Sequence, residues 1–358
     1  MDYGHKWTDD ELKKLEARIA REYKQAAEET AAKLEEYYKR HEVKKKIKLK
    51  ELADGKIDEK EYKRWLTGQL AIGQRWQEMV DTIAEDYRNT NRIVYSMTRE
   101  FTYEAYALNH NYGTFEAESS SMIDTSYTLY DRHTVERLIR DDPQLLPPPG
   151  RRVSQKIAEG SAVLWNKQVI QSLMTQSILQ GESIGKIADR MQHDLSPSFT
   201  IEDIRNQDRK TAKQIANELA RKNRDAAIRN ARTMTTGAEN AGRVDSYKRA
   251  ESMGIKMMQE WIATLDNRTR HEHRQLDGQK VAVGDEFKVD GYTIRFPGDP
   301  EAAPEMVYNC RCTVIGVVAG TQMDTLEAKD LPRNSKLGDM SYEEWEKGHY
   351  QPKQKRKK

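Results

Sequence analysis

Apolar residues recur at helical spacing through the first forty positions of the chain. The sequence Thr8-Asp9-Asp10-Glu11 has the form of a capping box, so a helix is predicted to begin there. The apolar stripe that follows predicts a helix of about thirty residues. A basic stretch, Lys44–Lys50, comes next, and Asp54-Gly55 is predicted to interrupt the chain. The stripe consists of Leu12, Leu15, Ile19, Tyr23, Ala26, Leu34 and Tyr37.

Two further helices are predicted before residue 114. The first starts near Asp58 and carries a stripe of large apolar side chains, which we interpret as a helix–helix interface rather than a platform for stacked bases. The second runs from about Arg92 to Asn109, and Asn111-Tyr112-Gly113 is predicted to end it. The stripe of the first helix includes Tyr62, Trp65, Leu66, Leu70, Trp76, Met79, Val80, Ile83 and Tyr87.

A proline-rich segment, Leu145–Gly150, separates these helices from a second helical region. Its consecutive prolines exclude a helix and predict an extended connector. Helical spacing resumes at Val153 and, after a break at Ser196-Pro197-Ser198, continues from Ile201 to Ala250.

Near Gly254 the pattern changes to short β-branched and aromatic runs. Asp290-Gly291 lies within one of them, Glu286–Phe296, and supplies the positive φ angles of a type I′ hairpin turn. The fold class is therefore mainly α, with an elongated N-terminal helical body and a small C-terminal α+β module that contains a β-hairpin. Further strands are predicted at Trp261–Leu265, Lys280–Val283 and Thr313–Val318.

These patterns predict four regions along the chain. Residues 1–150 form an N-terminal long-helix region, and residues 151–253 form a helical middle region. The α+β module occupies residues 254–320, and a C-terminal extension with a basic tail occupies residues 321–358.

Composition explains why long helices suit this chain better than one large core. Only 37% of the 358 residues are hydrophobic and 33% are charged, with a mean hydropathy of −0.93. Average globular domains have about 45–50% apolar and about 25% charged residues. Helices with narrow apolar stripes fit this deficit, and their exposed faces are expected to pack against partner chains.

Several classes of protein are excluded at this stage. No apolar run reaches the roughly 18–20 residues that span a bilayer, and the first residues do not form a signal peptide, so no membrane partner is expected. Two cysteines do not provide a disulfide framework, which favours a reducing compartment.

The charge is balanced overall but uneven along the chain. The formal net charge is +2, whereas Arg205–Arg249 holds twelve Lys or Arg against five Asp or Glu, a local net of +7. Non-specific contact with double-stranded DNA is one interpretation, because Lys and Arg facing phosphates release counterions. A solvated or carboxylate-paired helix face is the alternative, which we favour over sequence-specific reading because no helix-turn-helix or zinc-finger spacing occurs. The candidate DNA contacts are Arg221, Lys222, Arg224 and Arg229 in the helix, and Lys355, Arg356 and Lys357 in the tail.

The C-terminal module contains a candidate metal site. Cys310 and Cys312 are two residues apart, and so are His271 and His273. If Cys312 lies in a strand that Cys310 starts, both sulfurs face the same side. Thiolate and imidazole are preferred zinc ligands, so a structural zinc is a hypothesis with His273, Cys310 and Cys312 as its main ligands. Asp266, Asp277 and His271 are all open as the fourth. The alternative is that the cysteines are small buried apolar side chains and the histidines are solvated.

An enzyme is the alternative class. Cys310 and His273 would form a nucleophile–base pair, or His271 and His273 with Asp277 would hold a catalytic metal. No nucleophile elbow, phosphate loop or His-Glu-x-x-His helix is present, so no catalytic residue is assigned and the chain is predicted not to be an enzyme.

A set of motifs in the second half of the chain resembles one known family. Gly181-Glu182-Ser183 with Ile187-Ala188 is similar to the helical segment that precedes the module in that family. The chain thereby resembles the phage Mu F-like family of minor head, or head morphogenesis, proteins over roughly Val153 to Val318. The module's motifs are Ala231-Arg232-Thr233, Gly254, Trp261, Asp266, Arg268-Thr269-Arg270, His273, Leu276-Asp277-Gly278, Asp299-Pro300 and Asn309-Cys310-Arg311-Cys312.

The sequence departs from the family pattern at two places. Many relatives carry a Cys-x-x-Cys pair where this chain has Arg270 and His273, which removes one potential zinc ligand and weakens the case for zinc. Met234 stands where Glu commonly follows the Arg-Thr pair, and we have no physical account of that change.

The resemblance implies a structural component of the virion. Such proteins associate with the portal protein or the major capsid protein in the head interior, in multiple copies, after assembly in the bacterial cytoplasm. Toxin domains are joined to this module in some relatives. A metal- or cysteine-dependent effector enzyme delivered with the genome is therefore the second hypothesis.

Overall fold

The computed structural model describes residues 2–62, 64–65, 74–142, 167, 212–319 and 333–349. The predicted connector Leu145–Gly150, the helical pattern from Val153 to residue 211 except Lys167, and the tail with Lys355, Arg356 and Lys357 lie outside these residues.

Long helices dominate the described chain, as the apolar spacing predicted. Helix α1 is Tyr3–Ala53, α2 is Gln74–Ser121, α3 is Arg132–Asp141 and α4 is Ala212–Ser252. The predicted length of about thirty residues is wrong, because α1 has 51 residues and continues through the basic stretch Lys44–Lys50. The predicted interruption at Asp54-Gly55 is confirmed: α1 ends at Ala53, and Gly55 has a positive φ of 70°. No described helix has both the length and the apolar character needed to cross a membrane.

The predicted start of α1 is wrong by six residues. Asp2, not Thr8, caps the helix, because its carboxylate accepts a hydrogen bond from the backbone N–H of His5 at 2.9 Å. Thr8 lies inside the first turns, where its hydroxyl donates to the carbonyl of Gly4. Thr8 is buried, and its hydroxyl bonds within the helix instead of capping its first turn. The capping-box pattern does not distinguish these two roles.

The predicted break at Asn111-Tyr112-Gly113 is also wrong, because α2 continues to Ser121. A Cβ at Gly113 would overlap the Ser246 hydroxyl, so the glycine permits close helix packing rather than ending the helix. Asn111 is occupied by long-range bonds: its side chain accepts from the Tyr130 backbone N–H and from the Tyr127 hydroxyl.

The C-terminal module is built from short strands, as predicted. Strands β1 (Met257–Ile262), β2 (Lys280–Ala282) and β5 (Thr313–Val318) form an antiparallel sheet in the order β2-β1-β5. The predicted hairpin is confirmed as β3 (Phe287–Val289) and β4 (Tyr292–Ile294), with φ of 46° at Asp290 and 82° at Gly291. The first strand lies earlier than the predicted Trp261–Leu265.

Short helices complete this part of the chain. Helix α5 is His271–Leu276 and α6 is Pro304–Val307, followed by a 3₁₀ helix at Ser335–Asp339 and α7 at Tyr342–His349.

The chain folds into two compact units, each assembled from separate segments. Unit 1 comprises Met1–Ala17, Tyr95–Arg152 and Ile228–Lys358, and unit 2 comprises Arg18–Val94 and Val153–Ala227. The units are thus divided differently from the four regions predicted along the sequence.

Each unit has its own core. In unit 1, Trp261, Phe287 and Val314 of the module are fully buried in a continuous apolar cluster. In unit 2, residues of the predicted α1 stripe are buried, and the rings of Tyr23 and Tyr87 stack 6.5 Å apart. The buried members of that stripe in unit 2 are Ile19, Tyr23, Ala26 and Leu34.

A candidate metal centre and the polar core of the same unit

The loop before β5 is held by side chains from one face of α4. Thr233 accepts a hydrogen bond from the Asn309 backbone N–H at 3.2 Å, and Thr236 donates to the Cys310 carbonyl at 2.8 Å. Asn240 accepts from the Val314 N–H at 2.8 Å. These α4 positions are three and four residues apart, so they share a helix face. The loop that carries both cysteines is therefore fixed at both ends.

Three side chains of types that can bind a metal ion meet in the interior of unit 1. His273, from α5, is buried, and its Nδ1 lies 3.4 Å from Cys312 Sγ and 3.5 Å from Cys310 Sγ. Their potential ligand atoms all lie within 4.8 Å of one another. The premise that Cys312 lies in the strand is wrong, since β5 begins at Thr313. The sulfurs nevertheless point to the same imidazole.

The pKa values of the two thiols are shifted in opposite directions. Cys310 donates a hydrogen bond to Cys312, which, together with the contact to His273, outweighs burial and lowers the pKa of Cys312 below its usual range. The same interaction with Cys312 and burial raise the pKa of Cys310. The pair therefore favours a single negative charge centred on Cys312.

The other candidate ligands do not join this cluster. His271 is exposed, and its Nε2 lies 2.7 Å from the side-chain amide of Gln275. Asp277 accepts a hydrogen bond from the Ala263 backbone N–H. Asp266 forms a bidentate ion pair with Arg311 at 2.7 and 2.8 Å, and the hydrogen bonds from Arg311 hold the pKa of that carboxyl well below its usual range.

Other motif residues also have structural roles. Arg232 on α4 forms a bidentate pair with Glu16 at 2.6 and 2.9 Å. Asp299 does the same with Arg295, at 2.9 and 2.6 Å. Asn309 adopts a left-handed φ of 54°, a conformation that Asn tolerates better than most residues.

A buried arginine forms the centre of a second polar cluster, which the sequence did not predict. Arg243 was counted with the basic face of α4, but its side chain is fully buried. It donates to Asp2, to the Asn109 side chain at 3.0 Å and to the Val314 carbonyl at 3.1 Å, and lies 3.9 Å from Glu116. Its setting among small α4 residues, Gly237, Ala238, Ala241 and Gly242, was the signal available in the sequence.

Two buried acid–base groups flank Arg243. Burial raises the pKa of Glu116 to about 7, although Arg243 and the Tyr247 hydroxyl oppose the shift. Burial would lower the pKa of His5, but Glu239, 2.7 Å from its Nδ1, raises it to about 9. The first turn of α1 is thus anchored to α4 by charged groups.

The candidate DNA contacts within α4 lie mostly beside carboxylates of the same helix. Lys222 pairs with Glu218 at 3.6 Å, and Asp225 lies 2.8 Å from Arg224 and 3.7 Å from Arg221. Arg229 is exposed. This arrangement is the carboxylate-paired face considered as the alternative to DNA contact.

The protein is thus mainly helical, with a small α+β module whose loops are held by hydrogen bonds and ion pairs of its polar residues. Residues 168–315 match the family described as Phage Mu protein F like protein.

Three relatives set the scale of the similarity. Minor head protein GP7 of Bacillus phage SPP1 is 25% identical over 284 residues, which cover 76% of this chain and 78% of that protein. The NAD(+)–arginine ADP-ribosyltransferase EFV of Enterococcus faecalis is 35% identical over 119 residues, 33% of this chain and 24% of the enzyme. An uncharacterised Bacillus subtilis protein, YqbB, is 29% identical over 169 residues, 46% of each chain.

The coverage differs among these relatives. The chain spans only about a quarter of the transferase and under half of the B. subtilis protein, but most of the phage protein. No solved structure matches the chain.

Proposed function

We propose that this chain is a structural minor head protein of a tailed phage, which acts in head morphogenesis by docking to the portal protein or the capsid interior. The similarity to a minor head protein over 76% of this chain carries the proposal. The protein would then reside in the virion, in several copies.

The geometry of the module supports a structural rather than an enzymatic role. Cys310 and Cys312 are only 3% and 2% exposed, so neither thiol is open to a substrate. The charged motif residues of the module pair with one another, as Asp266 does with Arg311. The effector alternative rests on the transferase, and the matched segment covers 24% of that enzyme.

The docking surface is proposed at the end of α1. Val43 and Ile47, one helical turn apart, are 59% and 54% exposed and form an apolar strip on the surface of the helix. Lysines surround them at positions 44–46, 48 and 50. An apolar strip with a basic border fits a partner surface that has apolar residues bordered by carboxylates.

Isolation of heads from cells that produce phage tests the proposal. We expect the chain to co-purify with portal or capsid protein in procapsids and mature heads, at a fixed copy number measured by mass spectrometry. Its absence from both particles would refute the structural role.

A double variant tests the docking surface. Val43→Ser with Ile47→Ser should reduce incorporation into heads while leaving thermal stability unchanged, because both side chains are already exposed. Leu265→Ser is the matched control, since Leu265 is 65% exposed in the module. Equal incorporation of the double variant and wild type would place docking elsewhere.

DNA contact has less support than docking. Three of its four α4 candidates lie beside Glu218 or Asp225, and exposed ion pairs leave little net field for phosphates. A salt-dependent shift of duplex DNA by the purified chain, lost in Lys355→Ala/Arg356→Ala/Lys357→Ala, would restore this role to the tail.

A further inference from the structure

We propose that His273, Cys310 and Cys312 bind one Zn²⁺ ion. The proposal concerns the module itself and does not depend on the role of the chain in a phage head. Within the described residues, these three side chains are the only His, Cys, Asp or Glu groups that converge at this point.

The separations of the donor atoms fit a tetrahedral zinc ion. With Zn–S of about 2.3 Å and Zn–N of about 2.0 Å, a tetrahedral angle sets sulfur and nitrogen about 3.5 Å apart. The observed Nδ1–Sγ distances are 3.4 Å to Cys312 and 3.5 Å to Cys310. An ion at the centre would therefore require little movement of the side chains.

The imidazole of His273 does not use its full hydrogen-bonding capacity in this arrangement. One imidazole nitrogen faces two sulfurs at nearly equal distance, yet it can make only one well-aligned hydrogen bond. The other ring nitrogen, Nε2, is buried and has no hydrogen-bond partner. A proton on Nε2 leaves the Nδ1 lone pair free, and this tautomer is the one that a cation requires.

The charge of the ligand set also suits a divalent ion. All three side chains are buried, and an uncompensated thiolate is costly in such a place. Two thiolates and one Zn²⁺ form a neutral group. The ion would link α5 to the loop that precedes β5, since His273 and Cys312 are 39 residues apart in the sequence.

The ligands are already positioned without the ion. Thr236 and Asn240 fix the backbone on either side of the cysteines, as described above. Little conformational entropy is then lost when the metal binds, which favours a stable site.

Metal analysis of the full chain tests the proposal. The chain is purified under reducing conditions, stripped with a chelator and titrated with Zn²⁺ or Co²⁺. We expect one metal per chain, thiolate-to-cobalt charge-transfer absorption, and a higher melting temperature with zinc.

Single variants identify the ligands. Cys310→Ser, Cys312→Ser and His273→Gln should each weaken binding by at least about 100-fold, since even outer-shell changes cost about 10–100-fold. His271→Gln is the matched control, because His271 lies on the same helix but is exposed and outside the cluster. Equal loss in the control variant would refute the assignment.

A measurement on the unaltered chain covers the case in which a ligand variant does not fold. Zinc should protect both thiols of the wild-type chain from alkylation, and chelation should remove the protection. Failure to bind either metal, or alkylation at equal rates with and without zinc, would overturn the proposal.

Discussion

Replacement of Arg243 by methionine is expected to destabilise unit 1 severely. Methionine fills a similar volume but removes the charge and the donors that reach Asp2, Asn109 and the Val314 carbonyl. Breaking a buried ion pair from one side costs about 3–5 kcal/mol, because the remaining charge stays in the interior. For a unit of this size, that corresponds to a melting temperature lower by roughly 6–20 °C.

The pH dependence separates an electrostatic cause from a loss of packing. Arg243 opposes the raised pKa of Glu116, so its removal raises that pKa further above 7. A carboxyl group whose pKa is raised in the folded state stabilises the fold at low pH, and this stabilisation is lost as the pH rises. The deficit of the variant should therefore already be present at pH 5, where the ionised Asp2 has lost its partner, and should grow further toward pH 8.

Chemical and thermal unfolding at several pH values provides the measurement. Arg224→Met is the control on the same helix, where a partly exposed arginine pairs with Asp225, and its effect should stay within about 0.5 kcal/mol. A deficit in Arg243→Met below about 1 kcal/mol at pH 7, or one that does not vary with pH, would refute this account.

Two further predictions concern the same unit. His5→Gln should reduce the loss of stability between pH 6.5 and 9. The raised pKa of His5 contributes about 3 kcal/mol of stability, which is complete below pH 6.5 and disappears by about pH 9. The prediction is contradicted if the free energy of unfolding, measured with urea at each pH, falls as steeply with pH in the variant as in the wild type. Gly242→Ala should cost at least about 1–3 kcal/mol, because its Cβ would lie 2.5 Å from the Tyr106 carbonyl. Gly348→Ala, with open space around it, should be neutral or stabilising in the same calorimetric scan.

Local patterns predicted the local structure well. The Asp290-Gly291 turn requires only a positive φ at two adjacent residues, and short-range chemistry determines it. The buried face of α1 through Ile19 and Tyr23 follows from helical spacing alone. The pairing of Cys310 and Cys312 with His273 was inferred from residue types, and their distances agree with that inference.

Predictions failed where distant parts of the chain decide the outcome. Gly113 resembles a helix stop until Ser246, more than a hundred residues later, is seen to occupy the space beside it. Arg243 resembles a surface charge until Asp2 and Glu116 are placed around it. None of these partners has a fixed sequence spacing from the residue that it contacts, so periodicity gives no sign of the contact.

The discontinuous make-up of unit 1 has a consequence for biosynthesis. Its first segment ends at Ala17, and the α4 segment that contacts it begins at Ile228. At about 5–20 residues per second, the ribosome needs roughly 10–40 s to make the intervening chain. During that interval Asp2 and His5 have neither Arg243 nor Glu239 to bind. The unit therefore forms late in translation, and a product interrupted before α4 cannot assemble it.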